Sequence, residues 1–218
     1  MIITVEGAHH VELAPERGVV RVRVSSESAD KAEVMACLQR DLGALVDDLD
    51  SLGAEQPSPI SRRVVETPRT NTWVDQLPDG TRVVHHQASA QVTAEFVDLE
   101  RLSQWVTAWG EREGLSIDDI AWTLTDQTRA GVRDEVLTRA VADARERAEV
   151  LARAAGCGAL RFLEIADPGL LGVATPEAAA AARAQFRTMQ ASAAFVGAEP
   201  DTIATSATIH VRFEADPR

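Results

Sequence analysis

The chain has 218 residues, of which 45% are hydrophobic and 26% charged, ample for a buried core and room for one domain or two packed halves. Its 34 acidic and 22 basic residues give a formal charge of −12, which speaks against a free-standing nucleic-acid binder, because phosphate contacts need a basic patch or stripe. The two cysteines, Cys37 and Cys157, form no CxxC pair and fit no zinc spacing; a disulfide between them stays open, with two free thiols in a reducing compartment the simpler reading.

The N-terminus, Met1-Ile2-Ile3-Thr4-Val5-Glu6, has no basic region, apolar helical run or cleavage site, so it reads as a strand and not as a leader. No apolar stretch approaches the roughly 18 residues of a membrane span, and a cytoplasmic protein without a membrane span is expected. Ile3, Val5, Gly7, His9, Val11 and Leu13 alternate with polar residues along this first strand. Pro15-Glu16-Arg17-Gly18 turns the chain, and Val20, Val22 and Val24 alternate along a second strand, so the two are expected to form a hairpin.

A helix is predicted from about Asp30, its N-cap, to Leu52, with Val34, Leu38, Leu42, Leu45, Leu49 and Leu52 inward and Gly53 ending it. Asp47, Asp48 and Asp50 near its end read as a solvated terminus; no further oxygen ligands lie in sequence reach for a metal site. Residues 57–77 read as an irregular or edge strand, since Pro59 and Pro68 argue against a central position. Pro78-Asp79-Gly80 is a turn. The clearest strand follows, with Val84, His86, Ala88, Ala90, Val92, Ala94 and Phe96 on one face.

A second helix is predicted from Asp98 to Glu113, carrying Leu99, Leu102, Val106 and Trp109 inward. A strand with Ile120, Trp122 and Leu124 comes next. A long third helix, about Ala130 to Ala155, turns Val132, Val136, Ala140, Ala144, Ala148, Leu151 and Ala155 inward, and those alanines imply close approach to a sheet or helix. Its exposed face carries Glu135–Arg139, Asp143–Arg147 and Glu149–Arg153 at i,i+4, and Gly156 fits its C-terminal cap. Residues 160–166 read as a short strand. Residues 168–200 form an Ala- and Gly-rich connection with a helix expected around Pro176 to Arg187, and a last strand turns Ala207, Ile209, Val211 and Phe213 to one side. The order ββα-β-βαβαβ-β predicts an α+β fold of mostly antiparallel sheets with helices on one face.

Segments in order resemble the SIMPL domain family, a bacterial family of uncharacterised function. They are Ile3-Thr4-Val5-Glu6-Gly7 leading to Ala14-Pro15-Glu16-Arg17; Gly80-Thr81-Arg82, His86 to Thr93 and Asp98-Leu99-Glu100-Arg101-Leu102; Trp122-Thr123-Leu124-Thr125-Asp126 with Arg133-Asp134-Glu135; the helix Ala140 to Ala152; and Ala207 to Phe213. The resemblance covers about residues 2–214. It implies two lobes, one plait-like, assembly into homo-oligomers, a link to stress tolerance and no established enzymatic activity. Lobe 1 is expected over about 2–78 plus the C-terminal strand 202–214, and lobe 2 over about 80–167. The family pattern supplies no catalytic residues, and this sequence departs from it in having no signal peptide and no tyrosine.

His9-His10 and His85-His86 lie in strands, where neighbours point to opposite faces, so neither pair can close on one ion. His9 and His86 share the apolar-face parity; if their strands were neighbours the rings could meet, but a metal would need a third ligand. Packing is the preferred reading for them, as it is for Trp105 and Trp109. The Gly-Leu-Ser and Gly-Cys-Gly runs match neither a nucleophile elbow nor a phosphate loop. No catalytic, cofactor-binding or metal residue is assigned and no cofactor is expected. The expected function is a non-enzymatic, self-associating structural or scaffold protein; the 168–200 connection, with Phe186, Met189, Phe195 and Val196, is the candidate partner surface, with a packed intrachain flap the equal alternative. The alternative is a small-ligand or metal-binding module with a site between the lobes near His9 and His86.

Overall fold

The alternating and helical patterns become eight strands and three helices in the computed structural model, which describes residues 1–171 and 202–217. In chain order they are β1 (Ile2–Leu13), β2 (Arg17–Ser28), α1 (Lys31–Gly53), β3 (Ile60–Val65), β4 (Arg69–Gln76), β5 (Arg82–Phe96), α2 (Leu99–Gly110), β6 (Leu115–Thr123), α3 (Asp126–Ala154), β7 (Cys157–Ala166) and β8 (Ile203–Pro217). Among the described residues every strand pairing is antiparallel, and the fold is α+β as the sequence predicts. The chain divides into two compact units.

Among the described residues one unit is Pro15–Thr123. Its sheet runs β3-β5-β2-β6, with β4 also paired to β5. The long β5 serves β4 along Arg82–Ser89 and β3 along Val92–Phe96, so the proline-containing stretch 57–77 becomes two successive edge segments, as expected of it. Asp98 and Asp30 cap α2 and α1 with their carboxylates. These helices lay Val34, Leu38, Leu45, Leu49, Leu102, Val106 and Trp109 into a core with Val20, Val22, Val24, Ala90, Val92 and Phe96, all buried. At the β4–β5 turn Gly80 has φ +84°, a left-handed backbone that favours glycine.

The other unit joins Met1–Ala14 to 124–171 and 202–217. Its sheet is β1-β8-β7, and α3 packs Val136, Ala140, Ala144 and Ala148 onto Ile3, Val5, Ile209, Val211 and Phe213. A Cβ on Gly7 would lie 2.1 Å from the Ala140 carbonyl oxygen and 2.6 Å from the Ala144 Cβ. Backbone approach that close needs glycine on the strand and alanine on the helix.

Several expectations are corrected. β1 and β2 do not form a hairpin: β1 pairs with β8 and β2 with β5 and β6. Alternation defines a strand's faces and is silent about its neighbour. The lobe boundaries change for the same reason: 80–123 belongs with 15–78 because β5 lies beside β2, while α3 and β7 join β1 and β8. α3 begins a turn earlier than predicted, at Asp126, because Thr125 caps it, its hydroxyl accepting from the Thr128 N–H. The inward ridge continues at Ala152, leaving Leu151 exposed. Two of the expected surface-pair residues bind β1 instead: Asp143 accepts from the Ala8 N–H and Arg147 donates to the Glu6 carbonyl. The strand predicted over 160–166 starts at Cys157. The expected helix around Pro176 to Arg187, and Phe186, Met189, Phe195 and Val196, lie outside the described residues.

Candidate functional site

The histidines take up different tasks. His9 and His10 are on β1, and β1 has β8 as its neighbour among the described residues. His85 and His86 are on β5, in the other unit. The condition under which His9 and His86 could meet, neighbouring strands, is therefore not fulfilled. His86 Nδ1 is 2.9 Å from Thr72 Oγ1. His85 stacks on Trp73, opposite it in register, with ring centroids 5.2 Å apart and planes 7° apart. Its Nδ1 is 3.2 Å from Glu27 and its Nε2 3.3 Å from Asp75. Among the described residues no group of three His, Cys, Asp or Glu could hold a metal ion.

Trp105 and Trp109 are buried, and both indole N–H groups donate to Oδ2 of Asp48, at 2.7 and 2.8 Å. Arg112 lies 3.6 Å from the centroid of the Trp109 ring. The acidic end of α1 is thus not simply solvated: Asp48 ties α1 to α2, and Asp50 pairs with Arg63 at 2.6 Å. The sequence signal was present, since Trp105 and Trp109 are a helical turn apart, but nothing in it named their acceptor.

Cys37 and Cys157 are free thiols. Cys37 opens onto a cavity of about 560 Å³ lined by residues of the Pro15–Thr123 unit. β2 loses β6 as a neighbour after the Val24–Leu115 pair, and the Ser25 N–H donates to the Gly114 carbonyl at 2.7 Å. Beyond that bond, Ser25, Ser26 and Glu27 face the cavity with Gln87, Glu113 and three side chains of α1: Cys37, Arg40 and Asp41. Positions 37, 40 and 41 share a helix face. Arg40 donates to Asp41 Oδ1 at 2.9 Å and to Cys37 Sγ at 3.0 Å, and the carboxylate beside it raises the Arg40 pKa further. The sequence reading missed this group. Its helical spacing was visible, whereas the strand end facing it depends on where β6 stops.

The remaining feature is the outer edge of β7. β8 is its one strand neighbour among the described residues. Phe162, Leu163 and Ile165 on it are 45%, 42% and 53% exposed, an apolar strip of a kind that marks contact surfaces. Among the described residues no helix is long and apolar enough to cross a membrane.

The SIMPL family model, described as a protein of unknown function (DUF541), matches residues 3–213. No curated protein matches the chain.

Proposed function

The chain belongs to the SIMPL family, and on that premise we propose that it is a non-enzymatic protein that acts by associating with further copies of itself. The observation that carries the reading is the apolar outer edge of β7, where Phe162, Leu163 and Ile165 are large and exposed and where no second strand pairs with β7 among the described residues. The clusters with the most chemical character are engaged in structural pairs: Asp48 with two indoles, His85 with Trp73 and two carboxylates. Sedimentation velocity of the full chain tests the reading. A mass of two or more chains at micromolar concentration is expected, and a strictly monomeric protein overturns it.

A second reading is favoured by one specific observation, the cavity beside Cys37. Eight polar or thiol side chains and Gly114 line it without a large apolar side chain, so an occupant would be held by hydrogen bonds and charge. Glu27, Asp41 and Glu113 outnumber Arg40, so the occupant that fits is a small amine. Titrating a short diamine while following melting tests it: a saturable rise in Tm that Glu113→Gln weakens supports the reading, and no rise refutes it.

A further inference from the structure

The middle of β7 reads Leu160-Arg161-Phe162-Leu163-Glu164-Ile165. Its register with β8 assigns each side chain to a face. Leu160 lies opposite Ala215, Phe162 opposite Phe213 and Ile165 opposite Val211, on the face that α3 covers. Arg161 lies opposite Glu214 and Glu164 opposite Arg212, on the other face. Strict alternation would put positions 161 and 164 on opposite faces. The register shift between Phe162 and Glu164 inserts Leu163 as an extra residue, and this bulge returns Glu164 to the face of Arg161.

The consequence is a strand symmetric about the Phe162–Leu163 peptide. Outward from that point each half reads apolar, charged, apolar, and the two charged positions carry opposite signs. A strand of this kind is complementary to an antiparallel copy of itself. We propose that two copies of the chain join β7 to β7 across a two-fold axis at the Phe162–Leu163 peptide, merging their three-stranded sheets into one. This rests on the self-association reading above and specifies its surface and register.

In that register Leu160 faces the partner's Ile165, Phe162 faces the partner's Leu163, and Arg161 faces the partner's Glu164. The charges already bridge β7 and β8 within a chain: Arg161 pairs with Glu214, and Arg212 with Glu164 at 2.9 Å. Joining the edges extends these into two ladders of alternating sign: Glu214, Arg161, the partner's Glu164 and the partner's Arg212, and their symmetry mates. Networks of this type contribute more than isolated surface pairs, and opposite charges directly across strands fix register. The interface is isologous and closes at two copies. A second copy is favoured over an unrelated strand because the match in sign and in apolarity comes from the one sequence.

The test is a charge swap in the full chain, read as a dimer dissociation constant by sedimentation equilibrium. Arg161→Glu alone and Glu164→Arg alone each place two like-charged pairs across the axis. Each is expected to weaken the homodimer about tenfold or more. Mixing the two variants restores opposite charges at both contacts, so a heterodimer of near wild-type affinity is expected, identified by native mass spectrometry. A folding defect would not be rescued by mixing, which separates it from a lost contact. Variants as dimeric as the wild type, or a mixture without rescue, overturn the β7 contact and leave self-association standing through another surface. A monomeric wild type overturns both.

Discussion

Asp48 shows how much one carboxylate can organise. A single oxygen accepts two indole N–H groups from α2, and both tryptophans are nearly buried, Trp105 at 6% and Trp109 at 4% exposure. Asp48→Ala removes two charge-assisted bonds and strands two donors, so a loss of about 2–4 kcal/mol is expected from urea unfolding followed by tryptophan fluorescence. Asp48→Asn should recover part of it, because its amide oxygen still accepts. Glu95 governs a pH effect. Burial pushes its pKa up, but hydrogen bonds from Ser61 and Arg17 and the charges of Arg17 and Arg62 outweigh burial, and the carboxyl sits below its ordinary value. A depressed folded pKa contributes stability that is present above the unfolded pKa and lost as pH falls through the folded one. Glu95→Gln should therefore lower stability at neutral pH and flatten the acid limb of the stability–pH profile. An unchanged profile would show that the group contributes nothing. Neither partner set was legible in the sequence, since Arg17 and Glu95 are 78 residues apart and meet through the β2–β5 pairing.

For elements, the contact of α3 with β1 decides the most. Val132, Val136, Ala140, Ala144, Ala148 and Ala152 recur every fourth residue and are buried, an i±4 ridge lying oblique to the helix axis. That obliquity explains why Leu151 is 46% exposed despite its apolar character. At the point of closest approach Gly7 has no room for a methyl group against the backbone of Ala140. Gly7→Ala is expected to cost roughly 3 kcal/mol or more, seen as a large drop in Tm. The same substitution at Gly43, where an added Cβ meets nothing within 4 Å, should be neutral or slightly stabilising in its helix. The small inward residues of α3 announced a close approach in the sequence, and the strand glycine that receives them was on the correct face of β1. Their identity as partners was not legible, because 133 residues separate Gly7 from Ala140.

At the scale of the molecule, the described residues of one unit form the single run Pro15–Thr123, and the other is closed by strands near the two chain ends, β1 and β8, that pair with each other. All four tryptophans, Trp73, Trp105, Trp109 and Trp122, fall within Pro15–Thr123. A fragment of residues 15–123 is expected to fold cooperatively alone, with buried-tryptophan emission and a single urea transition. Removing residues 1–13 should unfold the other unit, whose sheet loses β1 beside β8, while tryptophan emission stays native-like; loss of that emission would refute the independence of the units. Local sequence carried the α+β class, most of the described elements and most of their inward residues, because periods of two and near 3.6 and the cap residues are local properties; Leu151 and Ala155, expected inward, are exposed. The folded arrangement decided which strands are neighbours, and so the division into units, the cavity beside Cys37 and the bulge that makes β7 symmetric. Strand pairing is a contact between distant segments, and alternation states which side of a strand is buried without stating what lies along its edge.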